Sequence, residues 1–194
     1  YQKALALDPA LTAGYVGLAT LLARAGRVEE ALATYRQALE VTGGKGVLPQ
    51  AVDASRGQAH RGLGDLYSRE ARRAQGKEAE AAWGRALAAY RQATVVAPQD
   101  ARAYLGLGSV YQTLGELEEA ESAYRQALAQ PTIGAVEAAR AHYRLGRIYQ
   151  TQERPEDAEN ALREAARLHP EWAAPNVGLG MLRATQGRPE EAVA

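Results

Sequence analysis

The places where this sequence comes nearest to chemistry are its glycine clusters and its few histidines. Gly62-Leu63-Gly64, Gly106-Leu107-Gly108 and Gly178-Leu179-Gly180 begin like the loop that cradles a dinucleotide's pyrophosphate. That loop needs a third glycine three residues further on and a strand in front of it. Tyr67, Tyr111 and Arg183 stand there instead, and no strand pattern precedes any of the three. Gly43-Gly44-Lys45-Gly46 echoes a phosphate loop, but Gly46 takes the place of the hydroxyl residue and again no strand leads in. His60, His142 and His169 are the only histidines, with no carboxylate or second histidine at ligand spacing. Glu116, Glu118, Glu119 and Glu121 read as a helix start, where negative charge complements the dipole. Cysteine is absent, which removes disulfides, thiol catalysis and thiolate metal sites. No nucleophile–base arrangement, metal set or cofactor loop comes together, so the expectation is a non-catalytic chain without cofactors.

The elements that carry these residues are helical. Ala, Leu, Arg, Glu and Gln dominate the 194 residues, and these are good helix formers. Runs of β-branched residues are few. Twenty-three basic side chains balance 23 acidic ones, which speaks against a general nucleic-acid or membrane-surface binder. The longest apolar runs are too short to span a bilayer. The chain opens at Tyr1 rather than at methionine, so it is expected to be a piece of a longer protein. Its compartment stays open, with the cytoplasm marginally preferred.

Two interlocked patterns repeat. A leucine followed by a small residue recurs at Leu18-Ala19, Leu63-Gly64, Leu107-Gly108, Leu145-Gly146 and Leu179-Gly180, with spacings of 45, 44, 38 and 34 residues. Tyr-x-x-Ala recurs from Tyr1, Tyr35, Tyr90 and Tyr124, with Leu162 to Ala165 as a variant. Leu18 to Tyr35, Leu107 to Tyr124 and Leu145 to Leu162 are each 17 residues apart. Each unit reads as a helix pair. Tyr104, Leu107, Gly108, Tyr111 and Leu114 share one helical face, Gly115 breaks that helix, and Leu117, Ala120, Tyr124, Ala127 and Leu128 form a second stripe ended by Pro131. Glycine inside a helix costs about 1 kcal/mol relative to alanine. Gly64, Gly108, Gly146 and Gly180 are therefore expected to lie where a neighbouring helix approaches closely, with Tyr35, Tyr90 and Tyr124 filling the gaps between units.

This pattern resembles the tetratricopeptide repeat, written as aromatic, Leu-Gly, Tyr, then Gly, Ala, aromatic, Ala and Pro over about 34 residues. Tyr104, Leu107, Gly108, Tyr111, Gly115, Ala120, Tyr124 and Ala127 match it in the third unit; Leu145, Gly146, Tyr149, Ala158, Ala165 and Pro170 match it in the fourth. The resemblance implies an all-α, right-handed superhelical solenoid of antiparallel helix pairs, with about four complete repeats and partial repeats at both ends. The expected division is 1–11 as the end of a preceding repeat, 12–48, 49–100, 101–134 and 135–172 as repeats, and 173–194 as a truncated one. The second repeat should have lengthened helices turning near Gly76, after a flexible turn at Gly43 to Gly46. That extension reads either as harmless lengthening or as a docking knob carrying Trp83.

In repeats of this kind the first helices line a concave groove. Carried onto this sequence, the groove positions include Arg61, Asp65, Ser68 and Arg69 in the second unit, then Arg102, Leu105, Gly106, Ser109 and Gln112 in the third. The fourth unit adds Arg140, Tyr143, Arg144, Arg147 and Gln150. The members that grip a chaperone's terminal carboxylate use two asparagines at positions held here by residues such as Asp65 and Ser109, so this chain departs from them. The implied function is a scaffold that holds a peptide or protein segment, an acidic one being suggested by the arginines. Self-association through the truncated ends, or service as the regulatory array of a larger enzyme or sensor, are the alternatives.

Overall fold

The computed structural model describes residues 1, 5, 8, 11–41 and 48–186. Among them lie nine α-helices and no strand: α1 Thr12–Arg24, α2 Val28–Glu40, α3 Pro49–Ala71, α4 Gly76–Val96, α5 Ala101–Leu114, α6 Leu117–Leu128, α7 Ala135–Thr151, α8 Pro155–Leu168 and α9 Ala173–Thr185. The turn expected at Gly43 to Gly46, most of the segment before Thr12 and the last eight residues of the truncated repeat, 187–194, lie outside the described residues.

Local chemistry sets the helix ends. The Asp100 carboxylate accepts the Arg102 N–H (3.0 Å) and caps α5, satisfying a donor the helix itself cannot. Gly115 closes α5 in the left-handed region (φ +81°), and the Glu116 N–H reaches back to the Tyr111 carbonyl at 3.0 Å. Pro49 and Pro155 begin α3 and α8, where a missing N–H costs nothing. The turn into α8 uses Glu153 at φ +56°, a conformation that glycine adopts more readily.

Each pair α1/α2, α3/α4, α5/α6 and α7/α8 packs within itself and against the next, and α1, α3, α5 and α7 also touch in that order. The result is a solenoid whose first helices share one wall. Close approach is what the helical glycines supply. The Tyr90 ring is wedged between Gly64 of its own unit and Gly106 of the next; a Cβ on Gly64 would sit 2.8 Å from the ring, and one on Gly106 closer still. Tyr35 presses in the same way on Gly62, Tyr124 on Gly108 and Leu162 on Gly146. The tyrosine or leucine at each joint is buried, together with Ala38, Ala93, Ala127 and Ala165.

A second device ties successive units. The arginine after each wedge tyrosine donates to the phenol of the next unit's first helix: Arg36 to Tyr67 at 3.1 Å, Arg91 to Tyr111 at 2.7 Å and Arg125 to Tyr149 at 3.1 Å. In the fifth unit Arg183 stands where that tyrosine would be, and it turns to Glu159, which also holds Arg163.

α3 and α4 run 23 and 21 residues, against 13 each for α1 and α2. Trp83 on the extended hairpin is only 9% exposed, and the Arg72 guanidinium stacks 5.5 Å from its ring centre. It closes the long hairpin from within, so no tryptophan knob projects from it.

Candidate binding groove

The shared wall of α3, α5 and α7 carries a cleft of about 500 Å³. Its floor is Tyr90, Tyr124, Leu105 and Gly106, and its charged rim is Arg69, Arg72, Arg102, Arg140 and Arg144 against Asp65 and Glu137. Tyr90 and Tyr124 come from second helices and reach the wall only because Gly106 and Gly108 leave the first-helix backbone bare.

Both carboxylates in the cleft are already engaged. Asp65 accepts the Tyr90 hydroxyl proton at 2.6 Å. Burial, reinforced by the Asp65 charge, pushes the Tyr90 phenol far above its ordinary pKa, so it stays a donor. Glu137 takes two N–H groups of Arg102, the shorter at 2.8 Å. Its carboxyl is held below the usual range by its own backbone N–H and then by Arg102 and Arg140. The Tyr124 phenol is pushed up to about 12 by burial, a rise that nearby Arg144 opposes.

The arginines divide into two kinds. Arg61 pairs with Asp100 at 2.8 Å, with side chains only 23% and 18% exposed, and so joins the second unit to the cap of α5. Arg102 is paired across to α7. Arg140, Arg144 and Arg147 are exposed, and among the described residues none has an ion pair or side-chain hydrogen bond. Arg144 also fills the position before the repeat leucine that is glycine at Gly17, Gly62, Gly106 and Gly178.

Of the sequence-derived groove residues, the structure therefore brings Asp65, Arg102, Leu105, Arg140 and Arg144 into one cleft. It sets the others apart. Arg61 lines the neighbouring depressions; Gln112 accepts the Tyr124 hydroxyl at 3.2 Å; Tyr143 lies against Trp172 with ring centres 4.9 Å apart; Arg147 is outside the cleft lining; Gln150 borders a hollow beside Met181. Arg72 and Glu137 were not among the groove positions read from the repeat. Arg72 follows the last residue of α3 and Glu137 lies in the first turn of α7, both helices longer than those of a regular repeat, and that excess was the available signal.

Among the described residues no group of His, Asp and Glu side chains is placed to hold a metal, and no helix is long and apolar enough to cross a membrane.

Family models described as tetratricopeptide repeat match residues 12–37, 101–130 and 143–194. No curated protein matches the sequence. Among solved structures, MamA is similar at a TM-score of 0.69 and 20% identity over 90% of this chain and 88% of that one. PilF of Pseudomonas aeruginosa is similar at 0.74 and 22% identity, over 96% of this chain and 73% of its own. YrrB, a tetratricopeptide-repeat protein with an unusual peptide-binding site, is similar at 0.69 and 19% identity over 99% and 86%. Likeness at such identities concerns the fold alone. With the repeat models spread from residue 12 to residue 194 and the glycine-and-tyrosine joints between units, the chain belongs to the tetratricopeptide repeat family.

Proposed function

We propose that this chain is a protein-interaction scaffold that holds an acidic peptide segment of a partner across α3, α5 and α7. The observation that carries the reading is the imbalance in the cleft: five arginines face two carboxylates, and both carboxylates already have partners on the chain. Guanidinium groups fit carboxylates through paired N–H···O bonds, and Arg140 and Arg144 have no such partner of their own. Leu105 and the tyrosine rings give apolar contact between the charges. YrrB, with its peptide-binding site, is a precedent for the use of this fold and not for the ligand.

The test is a titration of a capped Glu-rich peptide against the chain and its Arg140→Ala/Arg144→Ala variant. A loss of roughly tenfold or more is expected, about 1.4 kcal/mol, together with weakening as salt is raised. Affinity indifferent to both changes would remove the groove from the account.

A further inference from the structure

We propose that the cleft's preferred anion is a phosphorylated side chain within the bound segment, its phosphomonoester held between Arg140 and Arg144. This rests on the acidic-peptide reading above and names the chemistry of its central contact. Two observations carry it.

Arg140 and Arg144 stand one helical turn apart on the same face of α7, so two like charges are neighbours. Neither is ion-paired among the described residues, and the carboxylate whose charge Arg140 feels, Glu137, is itself bonded to Arg102. A carboxylate presents two oxygens and matches one guanidinium fork. A phosphomonoester presents three terminal oxygens and close to two charges at neutral pH, enough to engage both forks at once.

The rest of the rim adds to the same sign. Arg69 lines the cleft, as does Arg72, which is held in place by Trp83. Of the two carboxylates that would repel a dianion, Glu137 is offset by the Arg102 guanidinium, and Asp65 spends one oxygen on the Tyr90 hydroxyl.

The experiment uses three peptides of one sequence, acetylated and amidated to remove terminal charge, with phosphoserine, glutamate or serine at the central position. Binding to the whole chain is followed by fluorescence anisotropy at pH 7.5 and 5.5. The phosphoserine peptide is expected to bind about tenfold tighter than the glutamate peptide at pH 7.5. That advantage should shrink severalfold at pH 5.5, because the second phosphate pKa lies near 6 whereas glutamate stays ionised. Arg140→Lys/Arg144→Lys keeps the charge and loses the forks, so it should weaken both charged peptides, the phosphoserine peptide severalfold more than the glutamate peptide, and so shrink the phosphoserine advantage. Equal affinity for phosphoserine and glutamate overturns the phosphate preference and leaves the acidic-peptide reading standing. Failure of both charged peptides to exceed the serine peptide overturns both.

Discussion

The joint between the second and third units and the joint between the fourth and fifth perform one task with different parts. In the first, the Tyr90 ring fills the gap, and both flanking helices must offer bare backbone, at Gly64 and at Gly106. Its hydroxyl is then fixed by Asp65, Arg91 bonds Tyr111 across the joint, and Arg61 bonds Asp100. In the second, Leu162 replaces the aromatic. A Cβ on Gly178 would meet only leucine methyls, at 3.2 and 3.3 Å, and the cross-joint bond is Arg183 to Glu159. The Tyr90 wedge leaves no room for a Cβ at Gly64 or at Gly106 and brings a polar tip to the inner wall. The Leu162 wedge is as close at Gly146 but looser at Gly178, and it brings no polar tip. The arginine cleft lies over joints of the first kind, where the supporting side chains are locked, which is what a site needs if its guanidinium groups are to be held in place.

The sharpest way to break this comparison is to add one methyl group to each joint. Gly106→Ala drives a carbon into the Tyr90 ring, and overpacking of this kind costs about 1–3 kcal/mol even after a gain in helix propensity. Gly178→Ala meets the Leu162 methyls at 3.2 and 3.3 Å, a tight fit rather than an overlap, and is expected to change stability by less than about 1 kcal/mol. Chemical denaturation of the two variants measures both. Equal effects would mean that the joints do not differ in tightness.

Next in size is the contrast between arginines that serve the fold and those left for a ligand. Asp100→Ala removes the cap of α5 and strands Arg61, with an expected loss of about 1–2 kcal/mol. Arg144→Ala touches no ion pair among the described residues and should change stability by less than about 0.5 kcal/mol. A thermal melt of each variant separates the two. A large loss in Arg144→Ala would place that residue in the fold rather than in the groove.

The joints were legible in the sequence because they are periodic. Leu63, Leu107 and Leu145 mark the faces, and an unprofitable glycine beside each announces close approach. The cleft was legible only in part. The repeat register placed Arg102, Arg140 and Arg144 on the wall, but it could not say which arginine would meet a carboxylate. Asp100 lies 39 residues from Arg61, and Glu137 lies 35 from Arg102, so those pairings depend on the stacking angle between units rather than on any local spacing. Trp172 likewise reaches Tyr143 only once α8 has folded back on α7. Trp83 was ambiguous because helix length does not reveal which face of a projecting hairpin turns inward.

The smallest effect sets the same two ends of the molecule against each other through pH. His60 on α3 and His142 on α7 are both half-buried, and in both, burial lowers the pKa from its ordinary value near 6.5. The folded chain therefore takes up these protons less readily than the unfolded one, so stability present above about pH 6.5 is lost as the pH falls through the lowered values. The two sites differ in their neighbours. Arg56 reinforces the effect at His60, whereas at His142 the Glu164 carboxylate works against burial and Arg167. The melting temperature should accordingly decline between pH 7.5 and 5.5, a window above the titration of carboxylates such as Glu137 and Glu164, which are held below their usual range. His60→Gln should flatten that decline more than His142→Gln, because only His142 has a carboxylate to welcome its proton. A decline unchanged by His60→Gln, or flattened more by His142→Gln, would mean that the charge around the second histidine does not offset its burial.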